Sequence, residues 1–240
     1  MTPDRLTFVL LHGALLGAPS MAPIGQALLK TFPASRVAAF ELPGHGQRTN
    51  EPLPDFTLEG LAQDMAQQIE QRLPDLAWSQ TVLVGESTGA LVLAKLASQG
   101  KTPPLGMLLG EPPLGNGTSM SQVKAGLEQS QVPAAKALWA QTFEFAAPGQ
   151  TQFRDVVSEV PCPTLLVYGT ERDEGKVAMP SVIDPSDLAG LEKSEQLLIC
   201  GAKDRGHRVL QTMAPRWSSI LWGMLAGRGA LGQPIGLIEP

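Results

Sequence analysis

Val82-Leu83-Val84-Gly85-Glu86-Ser87-Thr88-Gly89-Ala90-Leu91 is the stretch on which the fold turns. Its first three residues belong to an uncharged apolar run starting at Thr81, the composition of a strand covered on both faces, and from Thr88 the chain takes helical spacing as far as Gln99. A strand that passes directly into a helix through G-x-S-x-G needs a bend so tight that glycines must flank the serine, whose hydroxyl then projects from the bend. The helix that follows aims its unpaired N–H groups and positive dipole end at the same point. The five-residue pattern alone occurs by chance in many chains. The strand before it and the helix after it make this one informative.

Working outward, apolar runs recur at Leu6 to Leu11, Val37 to Phe40, Leu105 to Leu109, Thr164 to Tyr168 and Gln196 to Cys200. Between them lie helical patterns, clearest from Thr57 to Leu73, where Leu58, Leu61, Met65, Ile69 and Leu73 form one stripe behind Thr57 as N-cap. Ser20 to Lys30 and His207 to Ala226 are further helix candidates, the latter turning Leu210, Met213, Trp217, Leu221 and Met224 inward. Strand then helix, repeated, predicts an α/β fold on a mostly parallel, doubly wound sheet with helices on both faces. One domain over residues 1–240 is expected, with a small helical cap inserted at about 111–160, a stretch much longer than a crossover needs. In that cap Val132, Ala135, Leu138, Trp139 and Phe143 keep helical spacing, with Phe145 nearby; they suit an apolar lid or ordinary packing onto the sheet equally well. The Gly/Pro-rich tail from Gly227 to Pro240 is expected to be loosely held.

Composition narrows the function classes. The 240 residues carry 18 Lys+Arg against 23 Asp+Glu, a net charge of −5, with no basic cluster of the kind a phosphate backbone requires, so no nucleic-acid partner is expected. No apolar run approaches the length of about 18 residues that crosses a bilayer, so no membrane span is expected. Met1 to Ala22 superficially resembles an export signal, but Asp4 and His12-Gly13 interrupt it and it is read as the first strand. Cys162 and Cys200 fall a strand length apart, which disfavours a disulfide and points to a reducing cytoplasm. Three dispersed histidines and two separated cysteines lack zinc-site spacing, and no phosphate-cradling glycine loop occurs, so no metal or cofactor is expected. The expected partner is a small-molecule substrate, with the chain a monomer or homodimer.

Ser87 is the candidate nucleophile. Of the three histidines, His207 alone lies downstream of it, where the general base of such a fold belongs. The acid that orients the imidazole is read as Asp173, in the loop Gly169-Thr170-Glu171-Arg172-Asp173-Glu174. Glu171 is an alternative, and Glu111 could reach the same histidine from the neighbouring strand end. Thr88 and Ala14 are the expected oxyanion donors through their backbone N–H groups, with Leu15 in reserve for Ala14, while His12 is read as structural. Leu15, Leu138, Trp139 and Phe143 are the candidate substrate-binding residues.

Taken together and in order, His12-Gly13, Pro43-Gly44-His45-Gly46, Gly85-Glu86-Ser87-Thr88-Gly89, Asp173 and Gly206-His207 resemble the α/β-hydrolase superfamily from residue 6 to about 226. The resemblance implies an α/β-hydrolase fold. Because the antiparallel strands usual at the start are missing, it implies a sheet of about six strands. It also implies a loop-shaping role for His45 and a serine hydrolase that cleaves small to medium carboxylic esters through an acyl-enzyme. The loop around Asp173 is similar to the plant methylesterase and hydroxynitrile lyase branch. The Pro-Gly-His-Gly loop looks more like bacterial small-ester and C–C bond hydrolases, which leaves C–C bond hydrolysis, lyase or perhydrolase chemistry as the alternative. Glu86 stands where many members carry His.

Overall fold

The apolar runs pair side by side because their residues are apolar on both faces and only a sheet covered by helices on each side keeps them dry. A computed structural model describes residues 5–51, 55–115, 118–143, 152–173, 175–227 and 235–238. Seven strands are described: β1 (Thr7–Leu11), β2 (Arg36–Phe40), β3 (Thr81–Glu86), β4 (Gly106–Gly110), β5 (Thr164–Gly169), β6 (Leu197–Ala202) and β7 (Ile235–Ile238). They form one sheet in the order β2-β1-β3-β4-β5-β6-β7, and every pairing is parallel. Strand order reverses between β1 and β3, so the crevice at their carboxyl ends is where an open α/β sheet accepts ligands.

Among the described residues, eight α-helices connect and cover these strands: α1 (Ala22–Thr31), α2 (Leu58–Arg72), α3 (Thr88–Gln99), α4 (Thr118–Gln129), α5 (Pro133–Leu138), α6 (Gln152–Ser158), α7 (Val209–Thr212) and α8 (Ala214–Leu225). Thr57 caps α2, its hydroxyl accepting from the Gly60 N–H at 3.1 Å. One face of the sheet packs Leu61, Met65 and Ile69 of α2 and the apolar residues of α3 against Val9, Leu83 and Met107. On the other face, Ile24 and Leu28 of α1 and Trp217 and Leu221 of α8 pack against Phe8, Val84 and Leu108. Trp217 is fully buried there, and its indole N–H is satisfied by the Val209 carbonyl at 2.8 Å.

Two elements differ from expectation. The last helix is divided at Met213, because Pro215 in the first turn of α8 lacks the N–H that would continue the ladder from α7. The tail contributes β7, in which Ile235 to Ile238 pair with β6, so the sheet has a seventh strand. The crossover from β4 to β5 holds α4, α5, a π-helical turn at Trp139–Phe143, and α6, which packs on α3.

Both cysteines are free and buried, Cys200 within β6 and Cys162 two residues ahead of β5. Burial pushes each thiol up to about 12, so almost no thiolate exists at neutral pH. Titration of the native protein with Ellman's reagent at pH 8 is therefore expected to detect essentially no thiol, and two after denaturation. Rapid modification of the native chain would contradict this packing.

Candidate active site

Ser87 stands between β3 and α3 with φ +51° and ψ −122°, a conformation that non-glycine residues avoid and that a tight, over-determined bend imposes. The bend is fixed on both sides. The Ser87 N–H donates to the Gly110 carbonyl of β4 at 2.7 Å, and the Ser87 carbonyl accepts from the Ala90 N–H at 2.9 Å. A β-carbon on Gly89 would lie 2.4 Å from the His12 carbonyl oxygen, so only glycine lets the loop after β1 press onto the start of α3. Gly13 lies against the nucleophile in turn, with its missing β-carbon 3.0 Å from Ser87 Cβ and 3.7 Å from Ser87 Oγ. Ser87 is 9% exposed, a hydroxyl in a recess.

The loop carrying Gly13 is anchored from beneath. The His12 ring is fully buried, its Nδ1–H donates to the Gly13 carbonyl at 2.7 Å, and its Nε2 accepts from the Leu42 N–H at 3.1 Å. Glu41 Oε2 sits 2.9 Å from the same Nε2 and accepts from the Ala18 N–H. Burial lowers the His12 pKa, with the nearby His45 acting in the same direction, against the pull of Gly13 and Glu41. The ring braces the loop through Gly13 and Leu42. His45 is also buried and donates from Nδ1 to the Pro43 carbonyl at 2.8 Å.

His207 follows β6, at the same carboxyl edge of the sheet as Ser87. Its backbone N–H donates to the Met179 carbonyl at 2.8 Å, and its Nδ1–H donates to Glu111 Oε2 at 3.2 Å. Glu111 is the residue after β4. It is fully buried, has φ +51°, and its own N–H is held by the Val167 carbonyl at 2.9 Å. Three donors besides His207 converge on its carboxylate: the Gly169 N–H at 2.5 Å and the Ser181 hydroxyl at 2.8 Å on Oε1, and the Val182 N–H at 2.8 Å on Oε2. A buried carboxylate so surrounded stays in place and presents its remaining lone pair to one ring nitrogen.

Of the three candidate acids, the described contacts bring Glu111 to His207 and leave Asp173 and Glu171 on their own loop. Asp173, with its side chain 57% exposed, turns away from His207; its Oδ1 accepts from the Gly175 N–H at 2.8 Å and its Oδ2 lies 3.9 Å from Lys176 Nζ. Glu171 is engaged locally as well, accepting from the Asp173 and Arg172 N–H groups and pairing with Lys176. The physical reason is the path of the chain after β5. Ser181 and Val182 come back to serve Glu111, while Glu171 and Asp173 are engaged by their own turn. The sequence signal for Glu111 was its place at a strand end, sealed by Pro112-Pro113.

Of the oxyanion candidates, Thr88 is the first residue of α3, in the turn whose N–H groups lack intrahelical partners, and Ala14 follows Gly13 beside Ser87. Leu15 has φ +65° and is 39% exposed at the surface of that loop. Leu138 and Phe143 are buried in the core on the α2 and α3 face, where Phe143 meets Phe153 edge-on at 5.4 Å between ring centroids. They pack in the same buried cluster as the sheet residues Val9, Leu83 and Met107. Trp139 lies on the π-helical turn with its side chain outside the described residues, as is the whole of Phe145.

Glu86, immediately before Ser87, was passed over as a functional residue. It is fully buried; Oε2 accepts from Gln211 Nε2 at 2.5 Å and Oε1 lies 3.5 Å from Arg208 Nε. Burial raises the Glu86 pKa, while the charges of His207 and Arg208 and the Gln211 hydrogen bond pull it down and Glu111 pushes it further up.

Residues 8–231 match the Alpha/beta hydrolase family. The chain belongs to that family. The fold agrees: ClbQ from the colibactin NRPS/PKS pathway superposes with a TM-score of 0.66 at 14% identity, over 93% of this hydrolase and 98% of that chain. An esterase from Thermogutta terrifontis superposes with a TM-score of 0.61 at 16% identity, over 93% and 90% of the two chains. The hydrolase is also 37% identical over 105 residues to protein phosphatase methylesterase 1 of Schizosaccharomyces pombe, a match covering 42% of this chain and 30% of the relative. No helix among the described residues is long and apolar enough to cross a membrane.

Proposed function

We propose that this hydrolase cleaves carboxylic esters of small to medium size through an acyl-enzyme on Ser87, with His207 as general base and Glu111 as the acid behind it. The observation that carries the proposal is the hydrogen bond from His207 Nδ1 to the buried Glu111, at the sheet edge where Ser87 occupies its strained bend. Glu111 holds the imidazole with Nδ1 protonated, which leaves Nε2 free to take the serine proton. The serine oxygen then bonds to the ester carbonyl carbon, and the oxyanion is met by the Thr88 and Ala14 amides. Collapse expels the alcohol, which takes its proton from His207; water, deprotonated by the same ring, releases the acid. No step calls for a metal or cofactor. The name of the fission yeast relative, a methylesterase, supports ester chemistry, and two buried reduced cysteines fit a reducing compartment.

p-Nitrophenyl acetate and butyrate test the proposal. Purified protein is expected to turn over at least one of them, and Ser87→Ala is expected to abolish that turnover. A cyanohydrin or vinylogous diketone consumed faster than every ester would replace the ester assignment with carbon–carbon chemistry at the same residues.

A further inference from the structure

The carboxylate of Glu86 links two loops that the proposed reaction must hold in register. Glu86 is covalently joined to Ser87, and its side chain reaches across to Arg208 and Gln211, which lie one and four residues beyond His207. Arg208 Nε also donates to Gln211 Oε1 at 3.3 Å, so the three side chains close a triangle over the first turn of α7. A buried carboxylate with a cation and an amide on it is costly to leave unpaired, which makes the triangle a fixed distance rather than a loose contact.

We propose that Glu86 is a positioning residue for His207, tying the nucleophile's own strand to the turn that follows the histidine. The charged groups of the ring and of the network behind it are Glu111 from the end of β4, which the ring contacts, and Glu86 from the end of β3 with Arg208 from the histidine's own loop, which contact each other. Glu111 faces the imidazolium that forms when Ser87 gives up its proton, and the triangle around Glu86 keeps the turn that carries the ring in place against that carboxylate. The inference rests on the proposed hydrolase mechanism but is separable from it, because the imidazole can be observed without turnover.

Glu86→Gln keeps the size and an acceptor for Gln211 while removing the charge. Without the charge Arg208 loses its partner and the turn that carries His207 is freed, so kcat is expected to fall about tenfold with KM little changed. Arg208→Gln breaks the same tie from the other loop and is expected to lower kcat to a similar extent, with the double variant no worse than either alone. A kcat loss at unchanged KM that is shared rather than multiplied is the signature; a loss of thermal stability with kcat retained in the folded protein, or losses that multiply in the double variant, would overturn the inference. Arg208 is half-buried, so its variant supplies the test even where Glu86→Gln does not fold. The His207 ring resonances in proton NMR, assigned by their loss in His207→Gln, are expected to move or broaden in both variants while those of His12 and His45 stay in place. Displaced His207 resonances in a protein without ester turnover would sustain the inference and remove the ester assignment, while unmoved resonances in an active enzyme would do the reverse.

Discussion

Ser87→Ala is expected to lower kcat on a turned-over p-nitrophenyl ester by about 10⁶-fold while leaving the thermal unfolding transition in place. The size of the loss follows from the division of labour at the site. Without the hydroxyl the acyl-enzyme cannot form, and the amides and imidazole that remain offer water only polarisation and general-base help. The fold is indifferent to the change. The bend at Ser87 is held by backbone bonds to Gly110 and Ala90 and by close packing around Gly13 and Gly89, none of which uses the serine oxygen. His207→Gln is expected to cost nearly as much, and the double variant little more than either alone, because the two residues act as a unit.

The second expected result separates two carboxylates. Glu111→Gln should lower kcat about 10⁴-fold, and Asp173→Asn should leave it within about a factor of two. At Glu111 four donors meet four acceptor positions on a carboxylate. A glutamine that keeps its oxygen toward Gly169 and Ser181 turns its NH₂ toward Val182 and His207, where it meets donors. The imidazole then accepts at Nδ1 and carries its proton on Nε2, the wrong tautomer to take one from Ser87. Glu111→Ala removes the acceptor altogether and strands these donors, at a cost of about 3–5 kcal/mol in stability, so the glutamine variant is the informative one. Asp173 makes only exposed local contacts, the kind worth less than about 1 kcal/mol. A large loss in Asp173→Asn with Glu111→Gln active would return the acid to the loop after β5.

What the sequence disclosed and what it withheld follow from how far each signal reaches along the chain. The first six strands and the serine bend are local: an apolar run covered on both faces reads as a buried strand wherever it occurs, and Gly85 and Gly89 mark a bend only glycines fit. His207 was legible through scarcity. The carboxylate that meets His207 was legible only as one of three alternatives, because three loops bring it there together. Glu111 lies 58 residues from Gly169, 70 from Ser181 and 96 from His207, and no periodicity carries that convergence. The Gly/Pro content of the tail hid the short apolar run Ile235 to Ile238, which β6 pairs with. Pro215 was visible and marks the break between α7 and α8. Helical spacing placed Leu138 and Phe143 on one face without saying whether that face meets a ligand or the core; both are buried in the core cluster on the α2 and α3 face.

Glu86 illustrates a different limit. As the variable residue of G-x-S-x-G it carries no pattern of its own, and its importance emerges only when Gln211, 125 residues later, is found on its carboxylate.

Labelling with a fluorophosphonate, followed by intact mass and peptide mapping, tests the central claim most directly, because the reagent bonds only to a serine whose proton a neighbouring base removes. One adduct per chain is expected, on Ser87, formed rapidly in the native enzyme and in Asp173→Asn, and slowed severely in His207→Gln and Glu111→Gln. An adduct on another residue, or no adduct on a folded protein, would contradict the assignment of Ser87, His207 and Glu111 as one catalytic unit.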